Sequence, residues 1–371
     1  MNSPLTSSPQ PSLNRRQAGQ GALALVAAAL TPGAAWALRA PPAAATVLPE
    51  WPAVPASLAA QHRRALGPLA ARIATDLPDV QSAVVLHRGH LAFEHYRAGI
   101  TAHTLQDTQS VTKSVVALLF GQAVADGALR GPQELVAARL PALLRVGADA
   151  RVQRLRFAHL LGMTAGWPGD QTARRDRDDD LAQIARRPFV AAPGARFAYD
   201  NGAANLLALA LTNVLRESLA AYARQRLFTP LGIHDFSWRT GAQGHALGAL
   251  GLSLTARGMA RVGELVLAEG RWQGQPLLPH GYTLAATQRQ NAGGYPLGRP
   301  YGYLWWIGSA RPGQGRSAFM ANGYGGQWLY VDPALALVVA VTARRTPESA
   351  ARGQGLTLIQ QGVLPAVRRM A

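Results

Sequence analysis

The sequence predicts an α+β fold, an α/β sandwich. One antiparallel sheet is built from both ends of the chain and flanked by helices, and a mostly helical lobe is inserted between them. Three observations predict it. Alternating apolar runs form a hairpin pattern around residue 88, β-rich runs return only after residue 300, and the span from about 125 to 250 alternates helical patterns with loops.

The N-terminal stretch "SLNRRQAGQGALALVAAALTPGAAWA" holds paired Arg15-Arg16, an apolar run from Ala22 to Leu30, and Ala35-Trp36-Ala37. That order matches a secretory signal with a twin-arginine (Tat) start, so cleavage is expected after Ala37 and the mature chain is expected in the periplasm or outside the cell. The apolar run is too short to span a bilayer stably. A GxGxxA string at Gly19–Ala24 lies inside this signal with no strand before it, which removes it as a dinucleotide site. Residues 38–58 are rich in Pro and Ala and read as a linker, leaving 59–371 as the folded domain.

Within that domain, 59–77 has helical spacing with its charges on one side. "SAVVLHRG" and "HLAFEHYRAG" alternate around Arg88-Gly89 and predict a hairpin. Residues 110–126 form an apolar helix opened by Ser110 and followed by Gly127. Helices are expected at 205–228, in two segments, and at 253–270. Strands are expected at 301–308, 327–333 and 335–344, and a closing helix at 355–370. No repeat and no transmembrane run is found in the mature part.

Composition narrows the chemistry. The net charge of +17 raises nucleic acid or an anionic membrane as partners, but the arginines are spread singly or in pairs. The longest mixed run, "RRDRDDD" at 174–180, largely neutralises itself. No basic stripe interleaved with aromatics is present, so nucleic-acid binding is not expected. There is no cysteine, which excludes disulfides, thiol catalysis and Cys-zinc sites. No HExxH or GxSxG occurs. His87, His90, Glu94 and His95 cluster on the first hairpin and read either as a metal site or as residues flanking a turn.

Among 37 basic residues, Lys113 is the one lysine, and it stands three residues after Ser110 in "SVTK". On a helix these two side chains are neighbours. A serine hydroxyl needs a base to become a nucleophile. Burial of a lysine disfavours its ammonium, and a helix N-terminus pushes the same way while favouring a developing oxyanion. Arginine keeps its proton and cannot do this work. The following "VVALLF" makes the helix apolar on most faces and therefore buried.

Two further stretches join this pair. In Tyr199-Asp200-Asn201, the tyrosine can shuttle a proton and the asparagine amide can hold a substrate carbonyl or the lysine, although Asn201-Gly202 before a helix also reads as a turn and cap. In "NGYGGQWLYVDP" (322–333), glycines before a strand admit a ligand to the backbone and a strand-edge amide can serve as the second oxyanion donor beside that of Ser110. The bland reading is a hairpin turn. Trp167 and Asp170 can face the cleft, and Trp305 and Trp306 either line it or pack the sheet.

With these residues in hand, the chain resembles the serine β-lactamase and penicillin-binding-protein superfamily, in its class C-like branch of esterases, D-peptidases and 6-aminohexanoate-dimer hydrolases. Ser110-Val111-Thr112-Lys113 matches the S-x-x-K of that family and Tyr199-Asp200-Asn201 its Y-x-N, while "LRFAHLLGMTAGW", "RLFTPLGIHDFSW", "GLSLTARGMARVGELVLAEG" and "YGYLWW" followed by "GYGGQWLYVDP" resemble later segments in family order, over roughly 60–365. The resemblance implies a β-lactamase/transpeptidase-like fold with no metal or organic cofactor. It implies an acyl-enzyme on Ser110, with Lys113 and Tyr199 moving the proton, Asn201 orienting the substrate, and Tyr324 or a neighbour such as Gly325 completing the oxyanion site. Trp167 is counted with the substrate-binding residues.

Two departures stand out. Gly323-Tyr324-Gly325 occupies the region where lactamases and peptidases carry K-T-G or H-x-G, and no lysine exists to replace the one that helps hold a carboxylate; Arg344 and Arg345 are distal in sequence. Gly258 stands where related sequences often have an aspartate. The expected function is therefore a secreted serine hydrolase acting on a small-molecule ester or amide. The alternatives are a β-lactamase or D-alanyl-D-alanine carboxypeptidase, or a non-catalytic penicillin- or peptidoglycan-binding module.

Overall fold

The hairpin pattern becomes β1 (Val80–His87) and β2 (His90–Tyr96), which follow helix α1 (Ala56–Leu66). The computed structural model describes residues 50–146, 149–170, 179–309 and 315–370; the expected signal at 1–37, the linker up to 49 and most of the run at 174–180 lie outside them. Helix α1 starts at Ala56, inside the stretch read as linker. The helix expected over 59–77 is two helices, because Gly67-Pro68 ends the first and a second runs Leu69–Thr75.

The central helix α2 (Val111–Ala125) is buried along its whole length, as its apolar faces require. Helix α3 (Asn201–Leu215) and the segment Leu219–Phe228 divide the expected 205–228 helix, with an 81° bend between them. Among the described residues no single helix is long and apolar enough to cross a membrane. Between 125 and 250 the described residues are mainly short helices, and Phe236–Trp238 pairs with Leu252–Leu254, which pairs in turn with Gln106–Asp107. Helix α4 (Ala256–Leu267) precedes the returning strands β3 (Asn291–Gly294), β4 (Arg299–Tyr301), β5 (Trp306–Ile307), β6 (Phe319–Gly323), β7 (Gln327–Asp332) and β8 (Leu337–Ala343). A helical stretch over 354–368 closes the chain.

All eight strands form one antiparallel sheet in the order β2-β1-β8-β7-β6-β5-β4-β3. Two strands from the N-terminal part and six from the C-terminal part thus meet where β1 pairs with β8. The strand expected at 301–308 is interrupted. The amide of Gly302 donates to Trp305 O, that of Tyr303 to Ala286 O and that of Leu304 to Leu161 O, so these N–H groups are spent outside the ladder.

Helix α4 lies close on the sheet because it has glycine at the contact. A Cβ on Gly263 would sit 2.5 Å from Val338 Cγ1 and 2.8 Å from Leu329 Cδ1. Gly263→Val therefore has to push helix and sheet apart, and a loss of about 1–3 kcal/mol in chemical unfolding is expected.

The hairpin histidines pack rather than gather around a site. His87 Nδ1 lies 3.0 Å from His62 Nε2 on α1, and both rings are buried. Among the described residues no group of three or more His, Cys, Asp or Glu is placed to hold a metal ion. Burial lowers the pKa of His87 to about 4 and that of His62 below its ordinary value, and His90 and Arg88 push the same way. In the unfolded chain both titrate near 6.5. The stabilisation from the neutral pair is complete above about pH 6.5 and is lost as the pH falls toward 4, since the unfolded chain takes up protons that the folded chain refuses. The thermal midpoint should drop across that window, and His87→Gln should flatten the drop; equal slopes for both proteins would count against the pair.

Candidate active site

Ser110 sits directly before the first turn of α2, where backbone amides have no carbonyl four residues back to bond. The loop that delivers it is fixed from three sides. Thr108 donates both its amide and its hydroxyl to Leu252 O, and Thr112 Oγ1 accepts from the Leu252 amide. Gln109 adopts a left-handed conformation at φ +52°, which costs a non-glycine residue on the order of 1–3 kcal/mol. The Asp107 carboxylate accepts the Gln109 amide at 2.9 Å, and Arg345 Nη1 meets the same carboxylate at 2.8 Å. Arg345, distal in sequence, is thus folded back to within three residues of the serine.

Lys113 is 1% exposed, deep in a helix whose neighbours are apolar. Its Nζ lies 2.9 Å from Ser110 Oγ, 2.7 Å from Asn201 Oδ1 and 2.7 Å from Ala249 O. The two carbonyl oxygens can only accept, so they fix two of the amine's four tetrahedral directions as N–H donors. Ser110 Oγ is within hydrogen-bond distance of the same nitrogen, where an uncharged amine can accept its proton. The arrangement suits transfer of the serine proton to the lysine.

Tyr199 completes the cluster. It is buried, and its ring lies 4.9 Å from Lys113 Nζ. Burial pushes the phenol up to about 12, and the neighbouring Ser110 side chain pulls the other way. At neutral pH it is a neutral phenol, able to relay a proton and not to start as the base. Trp306 stacks on it at 5.6 Å and 17°, and Tyr301 meets it edge-on at 6.3 Å. Trp305, just before β5, packs edge-on against Phe319 of β6 and is fully buried.

Asp200 explains why Tyr199 and Asn201 flank a helix start. Its carboxylate caps α3 by accepting from Gly202 and Ala203, and Arg187 grips it through two bonds of 2.7 and 2.8 Å. The Asn201 amide donates to Asp170 O, which gives Asp170 a backbone role beside the site. The Ala249 carbonyl, which sequence reasoning missed, reaches Lys113 because Gly248 presses on α3; a Cβ there would lie 2.2 Å from Ala204 O, and Asn205 Oδ1 accepts the Ala249 amide at 2.8 Å. The run of small residues in "ALGALG" (246–251) is the available signal.

Three expected substrate-side residues divide. Tyr324 is 51% exposed and follows Gly323, whose α-carbon is against the nucleophile loop: a Cβ there would lie 2.3 Å from Thr108 O. Tyr324 thus follows directly on a residue pressed against the nucleophile loop. Gly325 faces elsewhere. At φ +82° a Cβ would lie 2.5 Å from Arg344 O, and its own carbonyl accepts from Ser349 Oγ, so it is a turn residue held against the end of β8. Trp167 is also corrected. It is 1% exposed, packed on Phe189 at 5.1 Å and under the Arg187 guanidinium at 4.6 Å, where it supports the arginine that grips Asp200 and touches no open cleft.

A family model described as Beta-lactamase matches residues 70–363. The chain belongs to the beta-lactamase family. Members of this family are serine hydrolases such as esterases and amidases. Among solved structures, one described as "Putative 6-aminohexanoate-dimer hydrolase from Bacillus anthracis" is 20% identical, with a TM-score of 0.66 over 81% of each chain. EstCE1, a hydrolase with promiscuous acyltransferase activity, gives 16% identity and a TM-score of 0.69 over 83% of this family member and 100% of EstCE1. A penicillin-binding protein homolog from Caulobacter crescentus gives 17% and 0.61 over 83% and 99%. No curated protein sequence matches the chain. At these identities the likeness is one of fold.

Replacing the amine by a group that keeps its proton isolates the chemistry. Lys113→Arg should lower kcat/KM for p-nitrophenyl acetate by about 10³-fold or more, and Tyr199→Phe by about 10²–10⁴-fold. Far-UV circular dichroism should show both variants folded. A Lys113→Arg protein with near wild-type turnover would remove the lysine from the proton path.

Proposed function

We propose that this family member is a secreted serine hydrolase that cleaves a small ester or amide through an acyl-enzyme on Ser110. The observation that carries the reading is the Lys113 amine held by two carbonyl oxygens with Ser110 Oγ at 2.9 Å. Lys113, with Tyr199 as relay, takes the serine proton as Oγ bonds to the substrate carbonyl carbon. The resulting oxyanion faces the amides of Ser110 and Tyr324. The proton passes to the leaving oxygen or nitrogen as its bond to carbon breaks. Water then adds to the acyl carbon, gives its proton to the same pair, and Ser110 leaves with a proton restored. Asn201 orients both the lysine and the substrate.

The preference for a neutral ester or amide over a β-lactam or D-peptide rests on charge. No lysine follows β6, and Arg345 is already paired with Asp107. A substrate carboxylate would have to compete for that guanidinium. Export rests on the Arg15-Arg16 leader pattern and should show as an N-terminus at Leu38 after expression in a Tat-competent host.

The test is a fluorophosphonate label with peptide mapping, followed by a panel of p-nitrophenyl esters, linear amides, D-alanyl peptides and nitrocefin. The label is expected on Ser110, with ester or amide turnover fast and nitrocefin turnover below about 10 per second. Rapid nitrocefin or D-alanyl peptide cleavage would replace the reading with the lactamase or carboxypeptidase one. A persistent acyl adduct in mass spectra after a substrate chase would favour a binding module.

A further inference from the structure

A cavity of about 310 Å³ lies on strands β4, β6 and β7 against the C-terminal helical stretch. Its apolar lining includes Met320 from β6 and Ile359 and Leu364 from the helix. Its wall carries three arginines, Arg299, Arg316 and Arg368. The one carboxylate lining it is Asp332, which already accepts the Tyr330 hydroxyl at 3.1 Å and the Ala334 amide at 3.2 Å.

The arginines are incompletely used. Arg299 and Arg368 make no ion pair or side-chain hydrogen bond among the described residues. Arg316 spends its two terminal nitrogens on Glu269 and Thr287, at 2.9 and 2.8 Å, and its Nε is buried with no hydrogen-bond partner. The helix against the cavity is also irregular. Leu358–Val363 is π-helical, and that widened turn supplies Ile359 to the cavity lining. Single π turns recur at functional sites because they redirect side chains at a cost in backbone geometry.

We propose that this cavity binds a small carboxylic acid with an apolar tail, its carboxylate on the arginines and its tail on Met320, Ile359 and Leu364. Guanidinium groups pair with carboxylates through charge-assisted bonds, and a cavity of this size accepts a ligand of modest length. The site is separate from Ser110 and does not depend on the catalytic reading. Ser110 and Lys113 are not among the lining residues.

Hexanoate and sulfate are the probes, titrated by calorimetry into the full chain. Saturable hexanoate binding is expected, with Kd near about 1 mM. Sulfate, which has the charge and lacks the tail, should bind at least about tenfold more weakly. Arg299→Gln/Arg368→Gln should weaken hexanoate by about tenfold or more at an unchanged thermal midpoint. Should that pair of changes lower the midpoint, Arg368→Gln alone, at an exposed position, must still weaken hexanoate measurably. Absence of saturable binding, sulfate binding as well as hexanoate, or hexanoate binding indifferent to the arginine changes would each overturn the assignment.

Discussion

The folded arrangement of this protein depends on one buried amine. Lys113 is enclosed in an apolar helix with no water to solvate it, and a lone polar group in that position costs several kcal/mol. Three separate parts of the chain answer for it. Helix α2 brings Ser110, the start of α3 brings Asn201, and the segment before Leu252 brings the Ala249 carbonyl. Two of these parts rest on close backbone approach, at Gly248 against α3 and at Gly323 against the nucleophile loop, so core geometry and site geometry are the same constraint.

The order of strands follows from the same requirement. The serine stands at the tip of a helix buried in the middle of the protein, so the sheet must supply a wall beside that tip. Strands from both chain ends meet at the β1–β8 pairing, and β6 then ends at Gly323 next to Thr108. The β8 exit returns Arg345 to Asp107, which holds the strained Gln109 from the other side. The nucleophile loop is thus tied to the small sheet through Leu252 and to the large sheet through Arg345.

Much of this was legible because the chemistry is local. Ser110 and Lys113 lie one helical turn apart, so helix periodicity alone makes them neighbours. Tyr199 and Asn201 flank a cap residue, so a single turn presents both. The sheet was legible from alternation, since β1, β2, β7 and β8 are long enough to show it. What sequence could not show is contact between backbones. Ala249 acts through its carbonyl, which every residue has, and only the small residues around it hint at close packing. Trp167 was misplaced for the related reason that an aromatic next to a site motif reads the same whether it faces a ligand or, as here, supports Arg187. The strand at 301–308 was overextended because composition does not reveal that Tyr303 and Leu304 donate their amides to other elements.

The contrast between one lysine and many arginines becomes physical at this point. Arginine in this fold is used as a flat cation. Arg187 covers Trp167, Arg151 covers Phe189, Arg224 covers Phe236, Arg316 covers Phe319, and Arg257 and Arg261 both cover Trp51. Stacking and two-pronged carboxylate binding, as between Arg187 and Asp200, need a planar group that never loses its charge. Lys113 also lies against a ring, that of Tyr199, but its nitrogen is within hydrogen-bond distance of three oxygens, those of Ser110, Asn201 and Ala249. A guanidinium holds its proton too tightly to exchange one with Ser110. Two kinds of cation therefore divide two kinds of work, and the position of the single ammonium marks where charge has to be given up.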